Sequence, residues 1–173
     1  MTDVFSVDLT RCTGCQACVV ACKDRSGLPD EVDLIRVAVE EQGACPSVRL
    51  RYTVGHCWHC QDPACIPACR SGALRQVDGY LVIDGAACKA CGSCARACPF
   101  GAIVLLPESG KPAACDGCAD EVRAGIGPTC IRACPMRALG WGPPVTAGAR
   151  KTAVGSGSST DLQPRLHQVD WRS

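Results

Sequence analysis

Seventeen of the 173 residues are cysteine, and sixteen of these fall into four groups of four. The first is Cys12-x2-Cys15-x2-Cys18-x3-Cys22, and the second is Cys57-x2-Cys60-x4-Cys65-x3-Cys69. The third is Cys88-x2-Cys91-x2-Cys94-x3-Cys98, followed by Pro99. The fourth is Cys115-x2-Cys118-x11-Cys130-x3-Cys134, followed by Pro135. The first and third share the spacing of the bacterial ferredoxin run, whose fourth cysteine ligates the other cluster of a pair. Three cysteines on a tight loop wrap one face of a cubane. The fourth is expected to open the next helix, point away and serve a neighbour. Gly14 and Gly92 lie inside these loops, where backbone approaches sulfide and positive φ is required. Loop N–H groups can then point at the anionic cluster. Zinc sites present two separated cysteine pairs per ion, which repeated triplets with one outlying cysteine match poorly. A disulfide framework is the weakest reading, because it belongs to an oxidising compartment. At four cysteines per cubane, the sixteen supply four [4Fe-4S] clusters.

Little else in the chain is equipped for chemistry. No G-x-G-x-x-G, phosphate loop or nucleophile-elbow pattern occurs. No group lacks a cysteine that would leave an iron open to substrate, so the chain alone is read as non-catalytic. His56 and His59 flank Cys57; hydrogen bonding to cluster sulfur and plain packing are the two readings. The first would let protonation near neutrality couple to electron transfer. Trp58 reads as packing beside a cluster, and Cys45, before Pro46, as a free loop thiol. The net charge is +1, without a basic run interleaved with aromatics, which argues against nucleic acid. Each oxidised cubane with its thiolates carries about −2, so four bring the loaded chain to roughly −7. Lys23, Arg70, Lys89, Arg96, Arg132 and Arg137 stand in or beside the groups, as counter-charges or simply facing solvent.

Leu, Ile, Val and Phe make up about 20 % of the chain, and only seven residues are aromatic. That is the edge at which a chain buries enough surface to offset its ordering entropy. Clusters are therefore expected to fill the core, and the metal-free chain to be unfolded or molten. The longest apolar run, residues 102–106, is far too short to span a bilayer. Residues 1–5 show no basic segment leading into an apolar stretch. The expectation is a reducing compartment, cytoplasmic by default.

Short elements must hold the groups. Alternation predicts strands at 33–39 and 48–54, the latter with Val48, Leu50, Tyr52 and Val54 on one face, and a further strand at 80–84. The pieces 94–98 and 130–134 are expected to be first turns of short helices. Cys134-Pro135-Met136-Arg137-Ala138-Leu139 echoes Cys98-Pro99-Phe100-Gly101-Ala102-Ile103, a repeat offset by 36 residues. The fold class is α+β and loop-rich, with two ferredoxin-like lobes, one inserted in the other. Residues 57–106 form the inserted two-cluster lobe, and 1–56 with 107–142 the outer one. Pro143-Pro144 and a Gly/Ser stretch mark 143–173 as a flexible or partner-docking tail.

Over roughly residues 5–142 the chain resembles the iron–sulfur subunit of the dimethyl-sulfoxide-reductase type of molybdenum or tungsten oxidoreductase. The resemblance rests on Cys12-Thr13-Gly14-Cys15, Ala21-Cys22-Lys23-Asp24, His59-Cys60-Gln61-Asp62-Pro63-Ala64-Cys65 and the segment from Cys130 to Leu139. It departs in Arg70, where the family often has Pro, and in the short connection between the first two groups. Its small size is similar to the polyferredoxin-like subunit of bacterial tungsten aldehyde oxidoreductases. The resemblance implies one cluster on Cys12, Cys15, Cys18 and Cys134, and a second on Cys22, Cys115, Cys118 and Cys130. It implies a third on Cys57, Cys60, Cys65 and Cys98, and a fourth on Cys69, Cys88, Cys91 and Cys94. The implied function is relay of single electrons between a large molybdenum or tungsten pterin catalytic subunit and a further redox subunit, a membrane anchor or a flavoprotein. It also implies export with a signal-bearing partner, or membrane association through an anchor, as alternatives to the cytoplasm. The other reading is a free polyferredoxin, or a wire assembled from copies of itself.

Overall fold

A computed structural model describes residues 4–142 and 152–154; the rest of the 143–173 segment, with its expected tail role, lies outside the described residues. In chain order the elements are β1 (Val4–Val7), α1 (Ala17–Ser26), β2 (Arg36–Gln42), β3 (Arg49–Gly55), β4 (Leu74–Val77) and β5 (Tyr80–Ile83). There follow α2 (Ser93–Ala97), β6 (Val104–Leu105), β7 (Pro112–Ala113), α3 (Ala119–Arg123), α4 (Thr129–Arg132), β8 (Leu139–Gly142) and β9 (Thr152–Val154). Mixed short helices and strands joined by loops agree with the α+β expectation.

The strand pairings are antiparallel. The pair β2–β3 runs from Arg36 opposite Gly55 to Gln42 opposite Arg49. β4 and β5 close through Asp78-Gly79, whose φ values of 52° and 85° suit a two-residue hairpin turn with both central residues left-handed. The third hairpin is β6–β7. β1 is central to a three-stranded sheet in the order β8-β1-β9, with Phe5 opposite Trp141. This sheet joins the start of the described chain to its last cysteine group, a pairing of distant segments that local alternation did not reveal.

Two expected elements shift for identifiable reasons. The strand expected at 33–39 begins at Arg36, because Leu34 and Ile35 are both buried. Adjacent residues cannot both face inward from a half-buried strand, so the chain bends there. The strand expected at 48–54 is β3, which begins one residue later, at Arg49; of its expected apolar face Val54 is buried, Leu50 is exposed, and Val48, also exposed, precedes the strand. The hairpin outruns the core. The helices near 94–98 and 130–134 are present as α2 and α4. The fourth cysteine does not open them, however. Cys98 follows the end of α2, Cys134 comes two residues after α4, and Cys22 lies within α1. The third and fourth cysteines are four residues apart, so where the chain is helical they stand about 6 Å apart along the axis.

Sixteen of the twenty buried apolar residues among the described residues form two groups. One joins Leu74, Leu81, Ala102 and Ile103 to Cys57, Cys65, Cys94 and Cys98. The other joins Phe5, Val7, Val19, Ile35, Val54 and Leu139 to Cys18. Between them runs an aromatic seam: Phe5 to His56 (ring centroids 4.0 Å), His56 to Trp58 (4.3 Å) and Trp58 to Phe100 (6.4 Å). Beside it His59 meets Tyr80 edge-on, and Tyr80 stacks on Trp141. Six of the twenty buried apolar residues are cysteines, and no large side chain among the described residues is fully buried. So thin a core leaves the ordering entropy poorly offset. Iron-free protein is expected to lose near-ultraviolet circular dichroism and amide dispersion, and to regain both on anaerobic reconstitution with iron and sulfide. Native-like spectra from iron-free chain would contradict this.

Candidate cluster sites

The structure gathers the cysteines across the chain rather than by group. One cavity is lined by Cys57, Cys60, Cys65 and Cys98, with a void of about 380 Å³ counted to its open mouth. A second, of about 500 Å³, is lined by Cys22, Cys115, Cys118 and Cys130. A third, of about 320 Å³, is lined by Cys12, Cys15, Cys18 and Cys134. In the remaining set Cys69 neighbours Cys91 and Cys94, and Cys94 neighbours Cys88. Each fourth cysteine thus sits among the first three of a different group. Among the described residues no three His, Cys, Asp or Glu side chains converge on one ion. Thiolates on a cubane each bond a different iron and so surround a volume instead of a point.

The sets lie in file. Cys18 of the Cys12 set neighbours Cys130 of the Cys22 set. Cys115 of that set neighbours Cys57, and Cys65 neighbours Cys94. Among the sixteen, only Cys15 and Cys91, one in each end set, are exposed. The leftover Cys45 is exposed too.

Burial dominates the thiol energetics. Desolvation pushes Cys57 and Cys130 up to about 12, and Cys18, Cys22 and Cys65 up to about 11. Neighbouring cysteines contribute to these raised values, because thiolates crowded into one cavity repel. The protein alone therefore disfavours the ionised ligands, and a polycationic core at the centre of each set is what would stabilise them. In the set of Cys69, Cys88, Cys91 and Cys94 burial still raises Cys94, but the Ser71 and Ser93 hydroxyls hold Cys69 and Cys91 below the usual thiol value.

Hydrogen bonds to sulfur repeat with the sequence. Ala102 N–H donates to Cys98 Sγ at 3.4 Å, and Ala138 N–H to Cys134 Sγ at 3.3 Å. Ala73 N–H serves Cys69 in the same way. In all three the residue before the alanine is left-handed: Gly72, Gly101 and Arg137. That turn aims the next N–H back at the sulfur. Cys22 lies inside a helix, whose amides are engaged, and the Ser26 side chain bonds its sulfur instead. Further donors are Ala90 N–H to Cys88 and Gly117 N–H to Cys115.

The ferredoxin loops open on aspartates that cysteine spacing alone did not single out. Asp8 accepts from Thr10 N–H at 3.0 Å, and its carbonyl accepts from Cys12 N–H at 3.2 Å. Asp84 accepts from Ala86 N–H at 2.9 Å, and its carbonyl from Cys88 N–H at 3.1 Å. An Asp four residues before the first cysteine of two identically spaced runs was the available signal. Gly14 and Gly92 are left-handed as expected, both at φ 67°. A Cβ on Gly14 would stand 2.3 Å from Tyr52 Cε1, and one on Gly117 2.3 Å from Tyr80 Cδ1. Each tyrosine ring of the chain thus lies on the glycine of a Cys-x-Gly-Cys loop.

Of the expected counter-charges, Lys23 pairs with Asp33 at 3.1 Å, and Arg132 with Glu121 at 2.8 Å. Arg96 bonds the Cys91 carbonyl and the Ser93 hydroxyl. The main cation is one that sequence did not single out. Arg25, on α1, reaches Asp116 at 3.0 Å, Glu121 at 3.0 Å and also Asp120. Burial works against its charge, but Asp116, the nearby Cys118 and Asp120 outweigh it and raise its affinity for the proton above the ordinary value. Thr129 and Arg132 bonds, with Arg25, lower Glu121, and Asp120 is lowered by helix N–H bonds and Arg25. This network ties the helix bearing Cys22 to the loop bearing Cys115 and Cys118.

The family model of the 4Fe-4S dicluster domain matches residues 48–143. The sequence is 40 % identical over 148 residues to the B subunit of anaerobic dimethyl sulfoxide reductase from Escherichia coli strain K12, covering 80 % of this chain and 72 % of that protein. It is 36 % identical over 149 residues to the subunit of the same name from Haemophilus influenzae, covering 80 % and 73 %. It is 35 % identical over 139 residues to the thiosulfate reductase electron transfer subunit of Salmonella typhi, covering 78 % and 72 %.

Two outcomes test this geometry. Gly27 is also left-handed, but a Cβ there meets nothing within 4 Å. Gly27→Ala is expected to cost about 1 kcal/mol. Gly117→Ala adds overlap with Tyr80 and should cost about 3 kcal/mol and lower iron content; a Tyr80→Ala second change should recover part of the loss. Equal effects in thermal unfolding of the iron-loaded protein would refute the ring contact. Arg25→Met should speed loss of iron to a chelator at neutral pH. Asp120 and Glu121 are held low when folded, so their contribution is present above the ordinary carboxylate range and lost as pH falls through their lowered values. The difference from the parent protein should therefore shrink below about pH 4. A difference independent of pH would assign it to packing.

Proposed function

The protein belongs to the 4Fe-4S dicluster family, as an iron–sulfur subunit of the kind found in dimethyl sulfoxide reductase, and on that premise we propose that it relays single electrons through four [4Fe-4S] clusters. The ligand sets are Cys12, Cys15, Cys18 and Cys134; Cys22, Cys115, Cys118 and Cys130; Cys57, Cys60, Cys65 and Cys98; and Cys69, Cys88, Cys91 and Cys94. A bound cubane supplies a one-electron redox site whose potential depends on charge, hydrogen bonds and exposure. The protein's part is to hold the four sets in file, keep water from the inner two and aim N–H donors at the sulfurs.

The observation that carries this reading is the single file of sets whose ends alone expose a cysteine, Cys15 and Cys91. Buried inner sites exchange electrons only with neighbours, whereas an exposed end site can meet a partner. The two core groups support the division into an inserted lobe at 57–106 and an outer lobe at 1–56 with 107–142. One end of the file faces a catalytic subunit carrying a molybdenum or tungsten pterin. The other faces a redox subunit, a membrane anchor or a flavoprotein. No helix among the described residues is long and apolar enough to cross a membrane; on this reading an anchor subunit or a signal-bearing partner is available for membrane attachment or export. The chain itself converts no substrate.

Anaerobic purification from the native host, followed by native mass spectrometry and metal analysis, tests the proposal. The expected result is about sixteen irons per chain, four to each cubane, with a large pterin-bearing subunit attached. Cys91→Ser should lose one cluster, at its own end of the file. A protein that comes alone or as a ladder of itself would replace the fixed complex with a free carrier or filament. Unchanged iron in Cys91→Ser would overturn the ligand sets.

A further inference from the structure

Two buried ring nitrogens, Nε2 of His56 and Nε2 of His59, have no hydrogen-bond partner in the protein. Both histidines line the cavity of Cys22, Cys115, Cys118 and Cys130, and His59 also lines that of Cys57, Cys60, Cys65 and Cys98. The backbone fixes their tautomers. Leu81 N–H donates to His59 Nδ1 at 3.1 Å. An amide N–H only donates, so Nδ1 holds a lone pair and the neutral ring carries its proton on Nε2. His56 is the reverse. Its Nδ1 lies 2.6 Å from the carbonyl oxygen of Cys57, which only accepts, so the proton is on Nδ1 and Nε2 is bare. The cavity therefore receives an N–H from His59 and none from His56.

His59 is also held firmly. It is left-handed at φ 48°, and its ring meets Tyr80 edge-on with centroids 5.4 Å apart. Its Nε2 stands 3.4 Å from the point a Cβ on Gly117 would occupy, inside the loop between Cys115 and Cys118. A buried N–H aimed into a space lined by four thiols is a donor awaiting an acceptor.

Resting on the four-cluster reading above, we propose that His59 Nε2–H donates a hydrogen bond to a sulfur of the cluster held by Cys22, Cys115, Cys118 and Cys130. Reduction adds negative charge to that sulfur, so the donor favours the reduced state and raises this site's potential. His59 lies between two ligands of the next set, Cys57 and Cys60. It is thus a positioning residue at the joint of the two inner sites.

The test uses the full iron-loaded protein with histidine labelled by nitrogen-15, reduced stepwise and followed by pulsed electron paramagnetic resonance in light and heavy water. One reduced cluster should couple to a histidine nitrogen and to an exchangeable proton. His59→Leu should abolish both couplings and lower the midpoint potential of that cluster alone. His59→Gln, which keeps a side-chain N–H, should restore part of the shift. Parent protein without histidine coupling on any cluster would overturn the proposal, and so would His59→Leu with all four potentials unmoved. If His59→Leu fails to assemble, the parent spectrum decides by itself. Parent protein with far fewer than about sixteen irons would instead sink the four-cluster reading.

Discussion

The constraint behind the whole molecule is that four thiols crowded into one cavity cannot ionise together unaided. Desolvation and mutual repulsion raise Cys57, Cys115 and Cys130. On the proposed ligand sets, a cationic core in each cavity would turn that liability into the dominant attraction, because each thiolate would gain a bond and lose its repulsion from neighbours. This explains how a chain with about 20 % of Leu, Ile, Val and Phe can hold a defined shape. The apolar groups are not a core to which clusters are added. Their cysteine members show them to be the outer lining of the sites.

The scaffold solves its local problem by repetition. The segments starting at Cys69, Cys98 and Cys134 each run two residues, turn left-handed, place an alanine N–H on the sulfur and then bury an aliphatic residue, Leu74, Ile103 or Leu139. One short segment thereby delivers a thiol, a donor to that thiol and an anchor in the apolar lining. The alanine is required by space, for Ala73, Ala102 and Ala138 are all nearly inaccessible. Arg137 takes the left-handed place that glycine fills in the other two. The geometry is therefore demanded by the sulfur contact and not by the presence of glycine.

Sequence made the site more legible than the fold. Cysteine spacing is set by the size of a cubane and survives any arrangement of loops, so the groups could be read directly. Two of the strands were visible through alternation, but the bend at Leu34 and Ile35 was not, because two adjacent apolar residues fit a strand or a turn equally well. The pairing of β1 with β8 was hidden for another reason. Both strands have four residues, and their partners lie more than a hundred positions apart. Arg25 was missed because its three carboxylates come from a distant segment, while other cations lie nearer the cysteines in sequence. Proximity along the chain is a poor guide to charge neutralisation when the cavities themselves gather cysteines from distant groups.

On the proposed ligand sets, the four sites are not coupled equally. Cys18 and Cys22 belong to adjacent sets, and so do Cys130 and Cys134; each pair is four residues apart. The same holds for Cys65 with Cys69 and Cys94 with Cys98, which join the other two sets. Within each pair of sites, two covalent segments therefore fix the separation, whatever the rest of the chain does. Nothing of the kind joins the two inner sets. Their contact is Cys115 against Cys57, with His59 lining both cavities and the rings of Phe5, His56, Trp58 and Phe100 bridging the two linings. Packing must do there what the backbone does elsewhere. That accounts for the placement of the aromatic seam, since stiff rings hold a distance at little entropic cost. Continuity of the file thus depends on the one joint that side chains alone maintain.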